Sequence, residues 1–167
     1  VGWSADQARG KVMLGWIAAL VGSYLVGSTP TAYLLVKRWK RIDVRTVGSG
    51  NVGATNVARV AGPRAGAIVF GLDLAKGLVA VLCLALWLIR QLTPAAQLAC
   101  GLAAVVGHAF PIFLSFRGGR GVATTIGVLL GTMPLVALVC LTVWLAFFLV
   151  WRYVSVGSLA AAVTLPI

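Results

Sequence analysis

The chain has 167 residues, 60% apolar and only 10% charged, a composition that points to a membrane rather than water as the surrounding solvent. Its 14 Lys and Arg face three acids, Asp6, Asp43 and Asp73, for a net charge of +11. Carboxylates this sparse exclude the acidic clusters that hold Mg²⁺ or Ca²⁺, most metal-dependent phosphoryl transfer and the paired carboxylates of glycoside hydrolysis, which leaves anions as the natural ligands.

Hydropathy predicts a first span over 14–36, too long for the core of a cleavable signal and with its heavier charge behind it rather than in front. The chain opens on Val1 rather than Met and is read as beginning away from a natural start. Pro30, after Gly27-Ser28-Thr29, is expected to kink the span or cap its last turn. A basic, glycine-rich loop is expected over 37–64, followed by a second span over 65–89. Within that span Asp73 and Lys76 lie three apart on one helix face, either neutralising each other or serving a function.

Arg90 to Pro94 reads as a turn, and 95–116 as a third span carrying His108 and Pro111. A second loop covers 117–121. The uncharged run from Val122 to Trp151 would be about 45 Å long as one helix, too long for a straight crossing. Gly131-Thr132-Met133-Pro134 divides it into helices over 122–133 and 135–151, read as a hairpin, with one long kinked helix as the alternative. The run 154–167 begins another helix, too short to cross. Cys83, Cys100 and Cys140 sit singly in apolar runs without metal-ligand spacing. With the amino terminus outside, Lys37, Arg38, Lys40, Arg41, Arg45, Arg59, Arg64, Arg117, Arg120 and Arg152 fall on the cytoplasmic side, against Arg9, Lys11 and Arg90 outside. Both loops then face the cytoplasm.

The first loop offers Gly48, Gly50 and Gly53, with Ser49, Asn51, Thr55 and Asn56 as side-chain donors and Arg59 beyond. Glycines let backbone N–H groups converge on an anion, so the segment suits a phosphate; a flexible turn between helices has the same composition. The second loop, Arg117-Gly118-Gly119-Arg120-Gly121, precedes a helix whose free N–H groups and dipole attract an anion, though it also reads as an ordinary positive-inside anchor. His108 is a structural hydrogen-bonder or a catalyst. It does not begin an H-x-x-x-x-D acyltransferase dyad, because the fifth residue after it is Phe113.

Taken together, Gly48-Ser49-Gly50-Asn51-Val52-Gly53-Ala54-Thr55-Asn56-Val57-Ala58-Arg59, the segment from Gly107-His108 to Pro111, and Phe116-Arg117-Gly118-Gly119-Arg120-Gly121-Val122-Ala123-Thr124 resemble the bacterial acyl-phosphate:glycerol-3-phosphate acyltransferases, the PlsY family. Gly27-Ser28-Thr29-Pro30, the stretch from Asp73 to Gly77 and Arg152-Tyr153-Val154-Ser155 fit as well. The resemblance implies an all-α, polytopic membrane bundle of the seven-helix family kind, of which about five helices and part of a sixth are present in one domain. It implies an inner-membrane enzyme that acylates the 1-hydroxyl of glycerol 3-phosphate from acyl phosphate, giving lysophosphatidic acid without cofactor, metal or nucleic acid. Ser49 and Arg59 would be catalytic, with Gly48, Gly50, Asn51, Gly53, Thr55, Asn56, His108, Gly118, Gly119, Arg120 and Gly121 around the substrates. Arg120 departs from the family's usual Lys. The family's third motif, containing His, Asn and Glu, has no counterpart here, so the chain is expected to be truncated and this form inactive. A phosphate-ester transporter or anion channel, and an inactive fragment, are the competing readings.

Overall fold

The computed structural model describes residues 2–89 and 93–164, and the regular structure among them is entirely helical. In chain order the helices are α1 (Gly2–Ser28), α2 (Thr31–Lys40), α3 (Ala54–Ala61), α4 (Pro63–Val79), α5 (Ala85–Ile89), α6 (Pro94–Ala109), α7 (Val122–Thr132), α8 (Pro134–Trp151) and α9 (Val154–Val163). A π-helical stretch, Ala80–Leu84, joins α4 to α5. Four stretches are long and apolar enough to cross a membrane: Asp6–Lys40, Pro63–Leu84, Pro94–Leu114 and Pro134–Trp151.

Several boundaries differ from those expected, each for a physical reason. The helices around the first expected span, 14–36, run beyond it at both ends: α1 begins at Gly2, and α2 carries on to Lys40 after a break at Thr29 and Pro30. Hydropathy reports the solvent a segment prefers, whereas Ala5, Gln7, Ala8 and Arg9 are good helix formers in any solvent. The segment 37–64 is not one loop, because α3 occupies Ala54–Ala61 inside it. Its polar residues masked a one-sided apolar stripe whose Val57 is fully buried. The third span ends as an α-helix at Ala109, where Pro111 stops it, and Ile112–Leu114 forms a single 3-10 turn. The turn expected at Arg90–Pro94, the placement of Arg90 and the end of the run 154–167 lie partly or wholly outside the described residues.

Small residues set how the helices pack. A methyl added to Gly27 would collide with the Ala104 carbonyl, and one on Gly107 with the Tyr24 carbonyl, so α1 and α6 touch backbone to backbone. Gly27 meets Ala104, and two turns earlier in each helix Ala19 and Ala96 share one buried cluster, which makes the pair parallel. Gly77 and Gly127 let α4 and α7 meet in the same way: methyls there would strike the Thr124 and Leu74 carbonyls, and one on Gly131 would strike Val81. This second pair is also parallel. Ala85 shares the cluster of Ala19 and Ala96, so the second pair runs opposite to the first. The ends of α1 and α6 and the starts of α4 and α7 therefore meet at one end of the bundle. The two glycine segments, each joining a descending helix to an ascending one, both lie there.

Outside this bundle α8 and α9 pack antiparallel, with Gly157 against Trp144 and Cys140 Sγ 3.7 Å from Ala161 O. Large apolar side chains such as Leu98, Leu102, Leu135 and Leu138 point outward, the surface a helix presents to lipid.

Candidate functional site

The first glycine segment is built from the inside by one side chain. Asn56, in the first turn of α3, is 2% exposed. Its Oδ1 accepts from Ser49 N at 2.8 Å, and its Nδ2 donates to the carbonyls of Val44 (3.2 Å), Val47 (3.1 Å) and Asn51 (3.0 Å). Both N–H groups of the amide are taken up by these carbonyls, so Asn56, expected among the groups around substrate, supports the loop from within. Gly48 (φ +63°) and Gly50 (φ +71°) take left-handed conformations, and a methyl on Gly48 would also strike Asn56 Oδ1. Ahead of the segment, the Asp43 carboxylate accepts from Arg45 N at 3.0 Å and pairs with its guanidinium at 2.7 Å, which holds the carboxyl at about 2. The pair is open to solvent and adds little to stability.

What this loop presents outward is Ser49, Thr55 and Arg59, all exposed. Folding 54–61 as a helix puts Thr55 and Arg59 one turn apart on one face, an arrangement that the loop reading of this segment could not supply. Gly53 precedes α3 as its cap, and Asn51 is half-buried with its Oδ1 unpartnered among the described residues.

The second segment is held differently, by backbone. After Ser115 and Phe116, both left-handed, Gly118 N donates to Ala109 O and Gly119 N to His108 O, each at 3.1 Å. A methyl on Gly118 would collide with the His108 carbonyl, and one on Gly119 with His108 Nε2. These two glycines let the chain lie flat on the end of α6. Their N–H groups donate to these carbonyls, which ties the segment expected around substrate to the helix end beneath it. The anion-seeking part begins later: Gly121 is left-handed (φ +76°), and the first-turn N–H groups of Val122, Ala123 and Thr124 have no acceptor within their own helix. Arg117 and Arg120 stand exposed on either side of Gly118 and Gly119.

Beneath both segments lies a buried polar cluster. Asp73 Oδ1 accepts from Lys76 Nζ at 2.7 Å and from Thr31 Oγ1 at 2.6 Å. Lys76 Nζ also donates to Thr29 O at 2.7 Å and Thr31 Oγ1 at 3.1 Å, so α4 clamps the break between α1 and α2. His108, expected near substrate, is 8% exposed, with Nδ1 3.7 Å from Asp73 Oδ1 and its other nitrogen under Gly119. It underlies the site instead of facing outward. His108, Lys76, Ser28 and Val52 line a cavity of about 10 Å³, room for a single water. The i, i+3 spacing of Asp73 and Lys76 was visible in the sequence. Thr29 and Thr31, more than forty positions away, carried no such signal.

The family model described as glycerol-3-phosphate acyltransferase matches residues 17–167. The chain belongs to that family. Glycerol-3-phosphate acyltransferases of Desulforamulus reducens and Myxococcus xanthus are similar, the first 46% identical over 90% of this chain and 74% of its own, the second 49% identical over 88% and 76%. Among solved structures, PlsY, an integral membrane glycerol 3-phosphate acyltransferase, matches in its glycerol 3-phosphate form with a TM-score of 0.79 at 39% identity, covering 89% of this chain and 73% of that one. Its lysophosphatidic acid form matches with a TM-score of 0.77 at 37% identity, covering 89% and 72%. The protein is thus a multi-pass membrane acyltransferase, which rules against the transporter and channel readings.

Proposed function

We propose that the protein transfers a fatty acyl group from an acyl phosphate to the 1-hydroxyl of glycerol 3-phosphate, releasing phosphate and 1-acylglycerol 3-phosphate at the cytoplasmic face of a bacterial inner membrane. The observation that carries this reading is the meeting of two anion-suited segments at one end of the bundle, in a chain whose relatives are named for glycerol 3-phosphate. The basic residues at that end support the cytoplasmic orientation.

An acyl phosphate is a mixed anhydride with a good leaving group, so the reaction needs orientation and anion stabilisation more than activation. The donor's phosphate rests against Ser49, Thr55 and Arg59, while its acyl chain stays in the lipid. Glycerol 3-phosphate is held by the start of α7 with Arg117 and Arg120. Its 1-hydroxyl oxygen attacks the carbonyl carbon, the bond from that carbon to the phosphate oxygen breaks, and the hydroxyl proton leaves with the phosphate, directly or through Ser49.

The test incubates membranes containing the full-length parent protein with acyl phosphate and labelled glycerol 3-phosphate, with and without excess chelator. Labelled lysophosphatidic acid should form at the same rate in both. Loss of product under chelation would overturn transfer without divalent metal, and equal use of acyl coenzyme A would overturn the donor assignment.

A further inference from the structure

Resting on that reading, we propose that Asp73, Lys76 and His108 act together as a positioning unit that sets the second glycine segment, and with it the substrate held at the start of α7, relative to the first. None of the three touches substrate in this scheme. They act through the segments stacked on them.

The argument begins with where the unit is tied. Asp73 and Lys76 on α4 reach Thr29 and Thr31 at the α1–α2 break through three contacts of 2.6 to 3.1 Å, and pair with each other at 2.7 Å. His108 on α6 brings Nδ1 to 3.7 Å from the same Asp73 oxygen, an electrostatic contact too long for a hydrogen bond. The other edge of the same imidazole lies under Gly119, and the carbonyl of His108 accepts from Gly119 N at 3.1 Å. The second segment therefore rests on His108 by both ring and backbone. From the other side, Val52 of the first segment lines the small cavity shared with His108 and Lys76. One buried cluster thus carries the second segment and shares a cavity with the first.

Stability alone gives no reason for this choice of residues. A buried ion pair loses most of its attraction to desolvation, and apolar side chains of similar volume hold helices together as well or better. What charged, hydrogen-bonded groups add is one preferred geometry. Transfer between two bound anions is sensitive to misplacement on the order of 1 Å.

The experiment compares the wild type in detergent with Asp73→Asn/Lys76→Met, His108→Ala, Gly119→Ala and His108→Ala/Gly119→Ala, measuring kcat, both KM values and thermal unfolding. Neutralising the ion pair, or truncating the imidazole, should raise the KM for glycerol 3-phosphate about tenfold or more while changing the acyl-phosphate KM less and leaving unfolding near wild type. Gly119→Ala alone should be harmful because its methyl meets the ring. Adding His108→Ala removes the obstruction, so the double variant should be less impaired than the product of the single effects. Wild-type KM values in the ion-pair and His108 variants, or strictly multiplicative losses in the His108/Gly119 cycle, would overturn the proposal. If Asp73→Asn/Lys76→Met fails to fold, the His108/Gly119 cycle decides alone, since it leaves the ion pair intact. A full-length wild type without acyl transfer would instead refute the proposed function.

Discussion

The two glycine segments at the end of the bundle resemble each other in composition and differ in construction. The first, 48–53, is organised by a side chain: Asn56 gathers four backbone groups, and the glycines supply left-handed turns around it. The second, 117–121, is organised by backbone laid on backbone: Gly118 and Gly119 are small so that the chain can sit on His108 and Ala109. Glycine thus answers two different physical demands in two neighbouring loops, a torsion in one and a distance in the other, and substitution separates them.

The largest effect is expected at Asn56. Replacing it with Ala leaves Ser49 N and three carbonyls without their partner, at about 1–3 kcal/mol for each group that stays buried and unsatisfied. Turnover should fall by roughly a hundredfold or more, with a lower unfolding temperature in detergent. Survival of activity would mean that the loop is held by something other than this amide.

Gly48→Ala and Gly118→Ala come next and sharpen the contrast. At Gly48 the methyl meets both a left-handed torsion and Asn56 Oδ1, whereas at Gly118 it meets the carbonyls of His108 and Ala109 and the Pro111 ring, with no unfavourable torsion. Gly62 provides the control: its φ is +95° and ψ 162° but the space around a methyl there is empty, so Gly62→Ala should cost only the torsion, about 1–3 kcal/mol of stability, with little change in either KM. Measuring unfolding and both KM values for the three variants separates strain from collision.

Ser49→Ala and Arg59→Ala should lower turnover about tenfold, roughly 1.4 kcal/mol in the barrier, without altering unfolding, because both side chains are exposed. The smallest effect belongs to Asp43. Its carboxyl is held below its ordinary value by Arg45, so any stability it adds is present above about pH 4 and is lost as pH falls toward about 2. Asp43→Asn should leave activity at neutral pH unchanged and alter the unfolding profile only within that acid window.

How much of this was legible beforehand follows from what a pattern can carry. The apolar runs revealed a membrane bundle because twenty or so lipid-facing residues leave an unmistakable composition. Helix α3 was hidden because eight residues with Thr55, Asn56 and Arg59 among them look like loop to any hydropathy window. Ser49, Arg59 and Gly121 stood out as types suited to anions, yet the packing of Gly118 and Gly119 on His108 and Ala109 was not legible, since a glycine reads alike whether it admits a ligand or a neighbouring helix. The tie from Lys76 to Thr29 depends on the folded chain and leaves no local trace.

The most direct test of the division of labour between the segments is a side-by-side measurement of both KM values in Arg59→Ala and Arg120→Ala. The expected result is a crossed pattern: Arg59→Ala raises the KM for acyl phosphate more than that for glycerol 3-phosphate, and Arg120→Ala does the reverse, each by about tenfold. A rise in the same KM for both variants, or the crossed pattern inverted, would contradict the assignment of one anion to each segment.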